Sequence, residues 1–364
     1  MDVLSQWSRA SWADLQELPW VRAMKGVVQD PVHHAEGDVW IHTEMVLDAL
    51  RGLPSWEALP ERERAVVFAA CLLHDVAKPW TTRVEGERVT ARGHSAAGAV
   101  AAREILYRLG VHPPEREAIA SLILRHQLPF FCVEGEAPEE RVALTSQATR
   151  CDHLALVNQA DGLGRVCADP ERLATNVALF HLMAEELGCL DKPFPLHNDH
   201  ARFLLGRKLG ASRFDAPPEF FGCEVVVMCG LPGAGKDTWI RQNRPDWPVV
   251  SLDALRGEMK VDPREPQGPV AAMGRERARE HLRAKRSFVW NATSTTRKRR
   301  DRVVDLARDY GARVHIVVVE APWERLLKQN AGRADKVPEV VLEKLLAKWE
   351  FPELTQAHER TWVY

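Results

Sequence analysis

The chain changes its hydrophobic period near residue 210, and no single arrangement of layers accommodates both halves. Up to about residue 205, stretches such as AVVFAACLLHDVA, AGAVAAREILYRLG and REAIASLILRHQL place apolar residues three and four apart. That is the spacing of helices burying one face. From Glu224 onward short β-rich runs alternate with helical ones: VVVM before KDTWIRQN, PVVSL before a charged helix, SFVWN before TTRKRRDRVVDLARDYG, RVHIVVVEA before WERLLKQN. Such alternation predicts a parallel sheet with helices on its faces. Between the halves ASRFDAPPEFFG, with paired prolines and a closing glycine, interrupts both periods. The expected organisation is an all-α domain over residues 1–210, a linker over 211–222 and an α/β domain over 223–364. Each is long enough to bury its own core.

Charge and targeting signals narrow the setting. A formal net charge of −2 argues against coating nucleic acid by bulk electrostatics, while the run Arg297, Lys298, Arg299, Arg300 leaves room for a local basic groove or for the solvated face of a helix. No apolar run reaches membrane-spanning length, and the N-terminus lacks the basic start and apolar core of a secretory leader. A cytoplasmic protein without a membrane partner is expected. The seven cysteines are scattered with no C-x-x-C pair, which indicates neither a disulfide framework nor a thiolate zinc site.

In the second half, Gly230-Leu-Pro-Gly233-Ala234-Gly235-Lys236 follows an apolar strand and opens a helix. Glycines let backbone N–H groups wrap phosphate oxygens, the helix start favours an anion, and Lys236 supplies a charge to the β- and γ-phosphates. ATP is the expected ligand, with Mg²⁺. One position departs from the usual loop: Asp237 stands where a magnesium-binding Ser or Thr is expected, and Thr238 comes one place later. After the next strand, Asp253 could accept the proton of an attacking hydroxyl and Arg256, three residues on, could grip an acceptor phosphate. A helix cap at Ser251 or Asp253 accounts for the same residues. Arg333, before Val337-Pro338, sits where a lid could carry it onto a transferring phosphate.

In the first half, His74-Asp75 lies in an apolar helix, where the pair would be costly to bury without a positive partner. Eleven of the fourteen histidines fall in the first 200 residues. His42, His94, His126 and Asp161 accompany the pair, a set able to hold two divalent ions with Asp75 between them. Lys78 can face the same pocket and bind phosphate oxygen. His33, His34, His112, His153, His181, His197 and His200 are expected to be ordinary core or surface residues.

Two resemblances follow from these motifs. G-x-P-G-x-G-K, a strand ending in D-x-x-R, and a lid R-x-x-K-V-P resemble the kinase domain of polynucleotide 5′-hydroxyl kinases, from Glu224 to the end. That likeness implies Asp253 as general base, Arg256 on the 3′-side phosphate and Arg333 on the phosphoryl group. The pattern H…HD-x-x-K…H…H…D resembles the HD phosphohydrolases over roughly residues 30–170. It implies one metal on His42, His74, Asp75 and Asp161, and a second on His94, His126 and Asp75, with Arg165 assisting phosphate. The ions would be Mn²⁺ or a similar transition metal. Residues 30–43 look like the entry to the HD domain of bacterial CCA-adding enzymes.

The fusion as a whole resembles the bacterial HD-Pnk end-healing enzymes. This implies removal of 2′,3′-cyclic or 2′-phosphate from RNA ends, phosphorylation of 5′-hydroxyl ends of RNA or DNA, and a separate ligase acting downstream. Two alternatives stay open: an HD nucleotidase joined to a nucleoside or sugar kinase, and a nucleotide-sensing regulator whose loop binds without turnover.

Overall fold

A computed structural model describes residues 2–364 apart from Glu87, Pro263 and Ala334. The chain divides into two compact units, the first ending at Pro195 and the second running from Leu196 to Tyr364.

The first unit is helical and is organised around the helix Glu61–Leu73, in which every residue from Ala65 to Leu73 is buried. A helix apolar all round must be enclosed by others. Helices Val39–Arg51, Pro113–Arg125 and Cys151–Leu163 pack against it. Full burial of a side chain such as Phe68 or Leu72 contributes about 1.5–3 kcal/mol. This stabilisation holds the helix so that its end delivers His74 and Asp75 to the interior. One element departs from the all-helical expectation. β1 (Arg83–Glu85) and β2 (Arg88–Thr90) form an antiparallel hairpin in which Val84 faces Val89 across the pair, and Gly86 takes the positive φ of 63° that its turn requires.

The second unit contains one five-stranded, wholly parallel sheet of β3 (Glu224–Cys229), β4 (Val249–Ser251), β5 (Phe288–Asn291), β6 (Arg313–Val319) and β7 (Glu359–Val363), in the order β4-β5-β3-β6-β7. From central β3 the chain leaves toward β4 and β5 on one side and β6 and β7 on the other. The C-terminal edge of β3 is therefore a topological switch point, where α/β sheets place ligands.

Helix Asp199–Gly206 belongs to this second unit, so the break falls ahead of residue 196 rather than near 210. The helix is capped by Asn198, whose side chain accepts from the Ala201 N–H at 2.8 Å and donates to the Pro217 carbonyl at 2.8 Å. Arg202 donates to the His358 carbonyl at 2.6 Å, and His200 stacks on His358. A Cβ at Gly206 would lie 2.4 Å from Thr355 Cβ, so only glycine permits this approach. Helical periodicity says that a face is buried; it does not say against which core.

Candidate metal centre and phosphate loop

Five helices and their ends bring the proposed ligands of the first unit together. His42 comes from helix Val39–Arg51 and His74-Asp75 from the end of Glu61–Leu73. His94 is the first residue of His94–Arg108, His126 caps Pro113–Arg125, and Asp161 projects from Cys151–Leu163. All except His94 are buried, and His94 is partly so.

Backbone carbonyls fix the imidazole tautomers. Nδ1 of His74, His94 and His126 donates to the carbonyls of Cys71, Ala91 and Ile123 at 2.6, 2.7 and 2.7 Å. A carbonyl can only accept, so each Nδ1 carries the proton and each Nε2 presents a lone pair inward. The Nε2 atoms then converge: His42 on His74 at 3.3 Å, and His94 on His126 at 3.2 Å. Asp75 lies between the pairs, with Oδ2 3.2 Å from His74 Nε2 and Oδ1 3.5 Å from His94 Nε2. Asp161 Oδ1 is 3.2 Å from His42 Nε2. Facing lone pairs at such distances repel unless a cation stands among them. Asp75 Oδ1 and Asp161 Oδ2 are also buried without a hydrogen-bond partner, acceptors that a cation would satisfy. This donor set fits two divalent ions sharing Asp75.

The electrostatics agree. Burial opposes ionisation of Asp75, but the ammonium of Lys78 outweighs it and holds the carboxyl well below its usual range. Burial opposes Asp161 likewise, and the guanidinium of Arg165 overcomes it. Burial pushes His126 down to about 3, keeping its imidazole neutral. Lys78 lies 2.7 Å from Asp75 and donates to Gln29 at 2.5 Å, and Arg165 lies 2.7 Å from Asp161. Both cations border a cleft of about 520 Å³ that also gathers Arg88, Arg92 and Arg172. A larger, mostly apolar cavity of about 640 Å³ near Phe130 and Val177 holds none of the convergent donors.

Sequence reasoning missed two neighbours. Glu36 Oε1 lies 2.8 Å from both His34 Nδ1 and His42 Nδ1, so it orients His42 from behind and places His34 on the cleft. The adjacent His33-His34 pair was the available signal; nothing in the spacing separates His34 from His33. Two others of the histidines set aside have structural partners: His153 lies 3.0 Å from Glu63, and His200 lies 3.0 Å from His358.

In the second unit, the loop after β3 takes positive φ at Gly230, Gly233 and Gly235 (149°, 83° and 106°). A Cβ at Gly230 would sit 2.2 Å from the Val319 carbonyl oxygen. Ala234 is buried, its N–H bonded to the Leu231 carbonyl at 3.2 Å. Lys236 folds back to donate to the carbonyls of Gly230 and Leu231 at 2.9 Å each, and burial brings its ammonium down to about 8. The charges of Asp237, Asp253 and Arg333 all act on it. Asp237 accepts from Asn291 Nδ2 at 2.7 Å, and Thr238 accepts from Arg241 at 3.3 Å.

Ser251 caps helix Leu252–Glu258 by accepting from the Ala254 N–H, which leaves Asp253 exposed and paired with Arg256 at 2.7 Å. Gln267 holds Arg256 Nε at 2.8 Å. Asp253 and Arg256 line a cleft of about 380 Å³ with Arg275, Arg299 and Arg302. The basic run does not present Arg300 there. Arg300 is buried and bonded to Gln356 and to the carbonyls of Ser294, Thr295 and Glu350, while the Arg297 backbone N–H and guanidinium are engaged by Glu350 and Glu353. On a helix, successive residues are 100° apart, so a four-residue basic run cannot share one face.

Comparison with known proteins agrees with this division. The HD domain family matches residues 39–155 and the AAA domain family residues 225–352. The first unit thus carries an HD domain and the second a P-loop domain matched by the AAA domain family. A multifunctional CCA protein of Halorhodospira halophila is 42% identical over 92 residues, 25% of this chain and 20% of its own. Heterogeneous nuclear ribonucleoprotein U-like protein 2 of Mus musculus is 26% identical over 149 residues, 36% of this chain and 20% of its own. L-seryl-tRNA(Sec) kinase of Methanococcus maripaludis is 21% identical over 147 residues, 36% of this chain and 58% of its own. The chain therefore spans only about a fifth of the length of the first two. Among the described residues no helix is long and apolar enough to cross a membrane.

Proposed function

We propose that this chain heals broken RNA ends, the HD domain removing 2′,3′-cyclic or 2′-phosphate and the P-loop domain transferring the γ-phosphate of ATP to a 5′-hydroxyl. The observation that carries this reading is the acceptor cleft. Beside the exposed carboxylate of Asp253 it gathers Arg256, Arg275, Arg299 and Arg302, more positive charge than a single acceptor phosphate needs and a lining suited to a strand. The named relatives include a CCA protein and a tRNA kinase, which lends the polymer some support.

In the kinase step Asp253 takes the proton of the 5′-hydroxyl as its oxygen attacks the γ-phosphorus and the bond to ADP breaks, and Arg256, anchored by Gln267, holds the carboxylate in place. Lys236 and Arg333 balance charge on the transferring group. In the HD step His42, His74, Asp161 and Asp75 would hold one divalent ion and His94, His126 and Asp75 the other; Mn²⁺ or a similar transition metal would suit the imidazole-rich set. Ions bound there would supply an activated water and neutralise phosphate charge. Lys78 and Arg165 position the phosphate at the cleft wall. One water opens the cyclic ester to a monoester, freeing one ribose hydroxyl, and a second releases inorganic phosphate and frees the other. Joining the healed ends falls to a separate ligase.

The test is an oligoribonucleotide with a 5′-hydroxyl and a 2′,3′-cyclic phosphate, incubated with ATP, Mg²⁺ and Mn²⁺ and read at both ends by mass spectrometry. Gain of a 5′-phosphate and loss of the cyclic phosphate is expected. If the ends persist while nucleosides or sugars are phosphorylated, the chain is a small-metabolite enzyme; if ATP binds without any acceptor-dependent turnover, it is a sensor.

A further inference from the structure

Asp237 occupies the one position where this phosphate loop departs from the usual chemistry, and its surroundings show what the departure does. The residue opens helix Lys236–Asn243 directly after Lys236 and is exposed. Its Oδ1 accepts from Asn291 Nδ2 at 2.7 Å. Asn291 ends β5 and is paired in register with Ser251 of β4, so the orienting amide is mounted on the sheet. No hydrogen bond to Oδ2 occurs among the described residues. Thr238 cannot substitute for the missing hydroxyl, because it lies 100° further around the helix and its Oγ1 accepts from Arg241.

The replacement changes charge as well as geometry. A serine or threonine offers a neutral hydroxyl, which hardly affects a nucleotide arriving without a metal. A carboxylate beside the β- and γ-phosphates repels a metal-free triphosphate and attracts one that carries a divalent cation. Asp253, the second carboxylate acting on Lys236, adds to that repulsion.

We propose that Asp237, oriented by Asn291, is the cation-binding residue of the phosphate loop and makes nucleotide binding by this chain depend on a divalent cation far more strongly than a hydroxyl would. The proposal rests on the nucleotide assignment of the loop made above.

The experiment is calorimetric titration of the full chain with the β,γ-imido analogue of ATP, once in excess Mg²⁺ and once in EDTA. It compares the ratio of the two dissociation constants in wild type, Asp237→Thr, Asp237→Asn and Asn291→Ala. The ratio is expected to fall at least about tenfold in both Asp237 variants, largely because removing the charge tightens binding in EDTA. In Asn291→Ala, which keeps the charge but frees the carboxylate, the loss is expected in the Mg²⁺ arm alone. A ratio within about threefold of wild type in both Asp237 variants would overturn the proposal while leaving the kinase reading intact. Absence of binding by wild type in both conditions would remove the nucleotide assignment, and the proposal with it.

Discussion

The two candidate sites are built in opposite ways. At the HD centre the carboxylates of Asp75 and Asp161 are 2% and 1% exposed, and the histidines, Lys78 and Arg165 around them come from helix ends that only the folded core brings together. At the phosphate loop Asp253 is 73% exposed, Asp237 is exposed, and the groups rest on the edges of three strands. A buried site must be assembled by folding itself, so its residues carry stability together with chemistry. An exposed site is completed by its ligand, and there the two separate.

The largest effects follow from this contrast. Asp75→Asn removes the carboxylate shared by both halves of the HD centre and strands Lys78. Cyclic-phosphate hydrolysis is expected to fall about a thousandfold, and the first unit to lose about 3–5 kcal/mol through the uncompensated buried charge. Scanning calorimetry beside the end-group assay tests both; an unchanged melting temperature would show that Asp75 carries no structural load. Asp253→Ala is the counterpart. It should reduce 5′-phosphorylation by about a hundredfold or more while moving stability by no more than about 0.5 kcal/mol.

Metal removal should divide the molecule along the same line. Ions bound by the folded centre would stabilise it, each by about 2.7 kcal/mol at a hundredfold excess over its dissociation constant. Chelation is therefore expected to lower the melting of the first unit and leave that of the second, without nucleotide, in place. A shift of both units together would mean that the two do not unfold independently.

The same contrast explains what the sequence made legible. Alternating β-branched runs and helices announced a parallel sheet, and the clustering of His42, His74, His94, His126 and Asp161 around an HD pair announced a centre, because both patterns are local or compositional. Glu36 and His34 were not legible, since their role appears only when the loop before helix Val39–Arg51 folds over His42. Arg300 was misjudged for a related reason: its charge suggested solvent, yet carbonyls of Ser294, Thr295 and Glu350 supply acceptors that make burial tolerable. The segment around His200 carried no readable role because its partner, His358, lies at the far end of the sequence.

That histidine pair gives a pH effect confined to the second unit. His358 Nδ1 accepts from the Val314 N–H at 3.0 Å, and its Nε2 lies 3.0 Å from His200 Nδ1. Burial, with His200 beside it, pushes His358 from its ordinary 6.5 down to about 3. Above pH 6.5 neither the folded nor the unfolded chain protonates it. As pH falls from 6.5 toward 3 the unfolded chain binds a proton that the folded one does not, so stability declines, by about 2 kcal/mol at pH 5. Urea midpoints of the second unit at pH 7 and pH 5 measure this, and His358→Gln should lose most of the dependence. An equal dependence in that variant would place the titrating group elsewhere.

The smallest effect decides the acceptor. Arg299 and Arg302 line the cleft beside Asp253, whereas their neighbour Arg300 is locked in the core. If a strand occupies the cleft, Arg302→Ala should weaken oligoribonucleotide binding by about 1 kcal/mol or less and reduce the slope of log affinity against log salt by about one, with no change in melting. Arg300→Ala should do the reverse, lowering stability and sparing the slope, since it removes a cation that contacts no solvent. The pair separates a basic residue that meets phosphate from one that holds the fold. Should Arg299→Ala and Arg302→Ala both leave the salt slope unchanged while the variants still phosphorylate a mononucleoside, the cleft is not a strand-binding surface, and the acceptor is a small metabolite.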